Sequence, residues 1–383
     1  MKKIIKLSLA VYLAFSTLLY ADTLENAFAN SKIKGEIKAQ YFNIEPFLDK
    51  ENDSIFVFGG NLNWVTENYY GFNAGVTFQA SHVEHIDIKN ENNFVATMDA
   101  AGAVMSESYL QYTLANTSIK AGRQYIATNL MAGSDSRMIK QSFEGVTIIS
   151  KDIPDTILTL AYIDKYQDRT DGNGNPGNFN HFEDGAWTIH AENRSIENLT
   201  LKAQYLDVNS IAANSDKDAA YLEVGYALKG FTVAAQYLDT SNGNVDGKLY
   251  GFKVSGNIGI VNLTGLYSTT DDDGALYCGV GSGADPSFTA LPLHGGSVTY
   301  TKETNTIVGI IGTKLAGVTL VGYYGEVHTD DLSLPYSQID AFGGFAQYSF
   351  TKNFSAKMMY ESADFNTLKN DDNIFRIYTS YKF

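Results

Sequence analysis

Large apolar side chains alternate with small or polar ones along almost the whole chain, and the alternating segments are joined by connections that are short and long in turn. The closing stretch "NIFRIYTSYKF" shows the pattern. Phe375, Ile377, Thr379, Tyr381 and Phe383 share one face, while Ile374, Arg376, Tyr378, Ser380 and Lys382 share the other. A period of two is that of a β-strand with unlike faces. The stretches 32–43 and 69–80 repeat it, the second with Tyr70, Phe72, Ala74, Val76, Phe78 and Ala80 on one side. About eighteen such segments of about 8–12 residues follow from the same rule, a length that crosses a bilayer at a tilt. Short turns fall at "LANT", "KDIPD", "SIEN", "KG", "LAG" and "TKNF"; long loops are expected over 81–105, 125–142, 165–184 and 271–302. Short turns at one end and long loops at the other mark a closed, even-stranded barrel that spans a membrane. A sandwich or propeller has no reason to keep that asymmetry.

Composition agrees. With 25 Tyr, 22 Phe and 34 Gly against only 6 Pro among 383 residues, the chain favours strands cut by turns. The expected fold class is all-β, a transmembrane antiparallel β-barrel of about 18 strands with an inward-folded constriction loop. The opening "MKKIIKLSLAVYLAFSTLLYAD" has Lys2, Lys3 and Lys6, then an apolar run, then Ala21. That order reads as a secretory signal peptide over 1–21, leaving 22–383 as the barrel. A membrane anchor is the alternative, but the run is short for a helix of about 20 residues. No later stretch is apolar enough to span as a helix, so the strands must do it.

Forty-three acidic against 28 basic residues, a formal charge of −15, exclude nucleic acid as a partner. One cysteine, Cys278, rules out a disulfide framework within the chain and reads as an unused thiol. His82, Glu84 and His85 in "SHVEH" are close enough for a metal clip, yet at a strand's outer end they fit a solvated loop better. "DGNGNPGNFNHFED" opens like a calcium loop, but Pro176 stands where such a loop needs Gly, and Phe182 where it needs Glu. No nucleophile elbow or HExxH signature is present, and neither metal nor cofactor is expected.

An eighteen-stranded barrel encloses water, so selectivity requires something folded inward. The 125–142 loop concentrates charge of both signs next to bendable Ala132, Gly133 and Ser134. Arg123, Asp135, Ser136, Arg137, Lys140 and Glu144 are the expected constriction residues. An ordinary surface loop is the plain alternative. Alternation offers Lys34, Lys38, Lys202, Lys253, Lys357 and Arg376 as inward basic groups, with Glu36, Glu223 and Glu361 on the same parity.

The run "GSDSRMIKQSFEG", 133–145, resembles the constriction segment of the OprD-type substrate-selective porins. There a Ser-Arg pair precedes an apolar residue, then Pro-Gln-Thr and a Gly that opens the next strand. Ser136, Arg137, Gln141 and Gly145 match, Ser142 stands for Thr, and Lys140 replaces the Pro. The resemblance extends to the strand count, the loop's place after the fifth strand and "ENAFANSKIKGEIKAQYFN". It implies an eighteen-stranded outer-membrane barrel, often found as a trimer, passing small hydrophilic solutes such as carboxylates or amino acids by passive diffusion. A basic ladder leads anions through such pores, whereas here the ladder is thin and Lys-rich. Phe383 resembles the terminal aromatic read by the barrel assembly machinery. The other expected partner is outer-membrane lipid, lipopolysaccharide included. An outer-membrane protease or lipase, and a structural or adhesive barrel, are the competing classes.

Overall fold

A computed structural model describes residues 22–45, 51–87, 97–209, 216–294, 296–334, 336–366 and 371–383. The expected signal peptide at 1–21 lies outside the described residues. A short helix α1 (Leu24–Ala29), capped by the Thr23 hydroxyl, precedes the strands. They are β1 (Lys32–Glu45), β2 (Asp53–Val65), β3 (Phe72–Asp87), β4 (Gly102–Leu114), β5 (Thr117–Gln124) and β6 (Ser142–Ser150). Next come β7 (Thr156–Gln167), β8 (Phe179–Asn193), β9 (Leu199–Val208), β10 (Lys217–Leu228), β11 (Phe231–Asn242) and β12 (Val245–Ile258). The last are β13 (Val261–Thr270), β14 (Thr304–Leu315), β15 (Val318–Thr329), β16 (Gln338–Ser349), β17 (Phe354–Phe365) and β18 (Asp371–Lys382).

Each strand pairs antiparallel with its sequence neighbours, and β1 pairs with β18, closing an 18-stranded barrel without a free edge. At the seam Gly35 and Phe383 exchange two backbone hydrogen bonds of 3.0 Å. A Cβ on Gly35 would sit 2.4 Å from the Phe383 ring, so the glycine gives the terminal aromatic its bed.

Most links keep the expected pattern, but at the long-loop end β11–β12 is a tight turn and only five residues separate β17 from β18. At the opposite end Ala316 and Gly317 join β14 to β15 with φ of 48° and 84°. Two positive φ values in succession give the primed turn that matches strand twist. β3 runs on to Asp87, so His82, Glu84 and His85 stand on a strand end and not in the 81–105 loop.

Alternation sorts the wall into two faces. Ile33, Ile37, Phe78, Leu110, Phe252 and Phe342 point outward and stay exposed, as a lipid-facing belt must. The inner face is less polar than that of a simple water-filled tube. Phe143, Ile163, Leu206, Tyr221, Leu238 and Leu249, from the β6–β12 wall, are buried in a common cluster with Leu130, Met131 and Val280. Leu130 and Met131 belong to the 125–141 loop and Val280 to the 271–303 loop, so both loops fold into the lumen and dry one side of it. Leu291 and Val298 of the second loop cover the β13–β17 wall in the same way, against Val308, Val327 and Ile339.

Candidate constriction site

The two inward loops brace each other. Met131 and Val280 form a parallel bridge, with Ala132 N–H donating to Val280 O and Val280 N–H to Leu130 O. Gln141 strengthens the junction: its Nε2 donates to Ser282 Oγ at 3.0 Å, and its Oε1 accepts from Ser282 N at 3.0 Å and Ser134 N at 3.2 Å. Opposite, the first loop is held to the wall by inward side chains. Gln204 of β9 accepts from Leu130 N, and Lys38 of β1 donates to Met138 O at 3.1 Å. Gln79 of β3 pairs with Lys140 in both directions, accepting from its N–H at 2.9 Å and donating to its O at 2.8 Å.

This explains the departure from the resembled motif. A proline at position 140 would have no N–H to give Gln79. We expect Lys140→Pro to leave the Gln79 oxygen unpaired at a cost of about 1–3 kcal/mol, visible as noisier open-channel current. Gly145 is fixed by packing, since a Cβ there would meet Tyr162 O at 2.1 Å.

Basic groups gather where the first loop meets β18 and β1. Arg137 Cζ lies 5.0 Å and Arg376 Cζ 4.7 Å from the centroid of the buried Phe42 ring, and Lys357 lies over Phe345 and Tyr378. Arg169, from the β7–β8 loop, is 9% exposed and close enough to join them electrostatically. Burial, then the Arg376 and Arg169 guanidiniums, hold Arg137 well below the usual arginine range. For Arg169, burial and Arg376 act in the same direction. Among the described residues no carboxylate comes within ion-pair distance of these three arginines, and the Nε of each is buried without a hydrogen-bond partner. Arg137 spends one nitrogen locally, on Ser136 O and Oγ. Such groups are costly unless something else satisfies them.

The expected residues divide accordingly. Ser136, Arg137 and Lys140 sit on the inward loop, with Asp135 exposed at its tip. Arg123 and Glu144 need correction. Ile119 and Val146 are exposed on the outer face and Phe143 is buried on the inner one, so alternation turns Arg123 and Glu144 outward. There Glu144 bridges Arg123 at 2.8 Å and Lys165 at 2.6 Å, with the Phe179 ring over the guanidinium. They brace the base of the loop from outside.

The six basic wall candidates all share the inner parity but form no single ladder. Lys202 is paired with Glu223 at 3.1 Å and Lys253 lies over Phe288 of the second loop. Lys34 stands in the inner row of β1, whereas Lys38, Lys357 and Arg376 join the cluster.

Sequence reasoning missed Arg169, Phe42 and the second anchor. His294 of the 271–303 loop is buried between Glu361 of β17 and Asp372 of β18. Its Nδ1 lies 2.7 Å from Glu361 and its Nε2 3.1 Å from Asp372. Glu361, fully buried, also accepts from His294 N–H at 2.5 Å and from the Tyr323 hydroxyl. Burial opposes a charge on the ring, but bonds to Asp372 and Glu361 outweigh it and raise His294 from 6.5 to about 9. The two carboxylates lie on opposite ring nitrogens, so this is a tether and not a chelate. Elsewhere, the Asp171 carboxylate is taken up by Asn173 and Asn175 N–H groups, and burial pushes the Cys278 thiol up to about 12.

Residues 106–187 match the sequence profile of the family described as outer membrane porin, OprD family. No curated protein sequence matches the chain. The barrel is similar to the crystal structure of Pseudomonas aeruginosa OpdO, with a TM-score of 0.78 at 14% identity, over 94% of this chain and 98% of that one. Acinetobacter baumannii OccAB2 gives 0.75 at 16% identity, and P. aeruginosa OccK8 (OprE) 0.73 at 12%, each over 94% of this chain and 99% of the other.

Proposed function

We infer that this chain, an outer-membrane porin of the OprD-family fold, gives small anionic solutes, carboxylates among them, their preferred path past Arg137, Arg169 and Arg376. Small hydrophilic solutes pass such a barrel by diffusion down their gradient. The observation that carries the anionic preference is the unspent charge of that cluster: three guanidiniums, each with a buried, unpartnered Nε and none in an ion pair among the described residues. A carboxylate is the planar acceptor that fits a guanidinium fork. Lys38, Lys140 and Lys357 add point charge around it, and Asp135 limits it. No catalytic role is assigned to any residue. The outward apolar belt suits outer-membrane lipid, lipopolysaccharide included, and Phe383 at the seam suits recognition by the assembly machinery. Three copies side by side would be the homotrimer.

The test is the reversal potential in planar bilayers under a potassium chloride gradient. Wild type is expected to prefer chloride. Arg137→Ala removes a hydrogen-bonding cation worth about 1.5–3 kcal/mol to a bound anion, a tenfold or greater loss of site occupancy. The potential should move toward the cation side by a matching amount. An unchanged potential would return the cluster to a purely structural role.

A further inference from the structure

We propose that Phe42 is the positioning residue of the anion path, holding Arg137 and Arg376 in place as a counter-ion would while leaving their charge unspent. The inference rests on the anion-path reading above. Buried arginines are ordinarily fixed by carboxylates, and a carboxylate here would neutralise the charge a permeating anion needs. Phe42 supplies the alternative. It is an inward residue of β1 with 1% of its surface exposed. Arg376 is its direct cross-strand neighbour on β18, and Arg137 reaches it from the inward loop.

The electron-rich face of the ring attracts a guanidinium without cancelling its charge. The ring is itself fixed. Tyr378 meets it edge-on at 5.2 Å and 68°, and Ile55, Val57, Met98 and Met138 pack around it. Met138 adjoins Arg137, so the same pocket seats the loop that carries the arginine. One residue thus sets where two like charges stand, one on the wall and one on the loop, despite their mutual repulsion.

The experiment compares Phe42→Leu, Phe42→Trp and a fluorinated phenylalanine at position 42 with wild type, using the potassium chloride reversal potential and half-blocking succinate concentration. Leu keeps apolar bulk but has no ring. The chloride-over-potassium preference is expected to fall about three- to tenfold, with a similar rise in half-blocking succinate, as two cation–π contacts are lost. Trp should keep the preference within about twofold, as the strongest ring partner for a cation. Fluorination drains the ring face with little change of shape, so it should track Leu, and it supplies the test if Leu fails to fold. Wild-type selectivity in the Leu and fluorinated channels would overturn the proposal. If Arg137→Ala still shifts the potential in that case, the anion path stands and only the role of Phe42 falls. If Arg137→Ala also has no effect, the underlying site reading falls with it.

Discussion

Replacing residues 127–140 by two glycines is expected to raise the single-channel conductance severalfold, weaken anion preference and lower the unfolding temperature, all in one variant. The first two effects follow from removing the segment that carries Arg137 across the lumen and rests on Lys38, Gln79 and Gln204. The third follows from what the segment covers. Phe143, Ile163, Leu206 and Leu238 lose Leu130 and Met131 as neighbours and face water. Uncovering a large apolar side chain costs about 1.5–3 kcal/mol. Bilayer conductance and the temperature at which the barrel loses its heat-resistant gel mobility read the two consequences separately. A variant with larger pores but an unshifted unfolding temperature would refute the packed inner wall.

The second large effect is a loosening of the 271–303 loop in alkali. His294 lies at about 9, raised from 6.5, so the tether contributes its full stabilisation below about 6.5 and loses it as pH rises through about 9. The difference corresponds to about 3 kcal/mol. Above that point a neutral ring stays between Glu361 and Asp372, with the Tyr323 hydroxyl on the same carboxylate and Arg376 near that hydroxyl. Conductance and current noise should rise with a midpoint near pH 9 in wild type. Glu361→Gln breaks the tether from the other side, so its channels should be noisy already at pH 7. Steady wild-type current up to pH 10 would show that the loop does not depend on this histidine.

Strands were legible because a membrane wall imposes alternation residue by residue. Hence the ends of β5 and β6 fell within a residue of expectation, and Lys34, Lys38, Lys202, Lys253, Lys357 and Arg376 all took the inner parity. Arg123 and Glu144 went astray for a specific reason. Nearness along the chain groups them with the loop, although counting from Ile119 and Val146 turns them outward. Arg169, His294 and Phe42 left no such trace. Each acts through partners that are distant in sequence and meet it only once two loops have entered the barrel, and no local period encodes that. The Gln141 match is a middle case: the motif flagged the residue, but its grip on Ser282 appears only in three dimensions.

The greasy inner wall has a consequence for how the molecule comes into being. Closing β1 onto β18 in the bilayer finishes the staves of the cask but leaves Ile163, Leu206, Leu238 and Leu249 wet. Docking of two segments about 150 residues apart, bridged at Met131 and Val280, dries them. A barrel that closes before those segments dock therefore has two stages to pass, insertion and then furnishing. A newborn barrel caught between them would be a wide, unselective leak across the cell envelope.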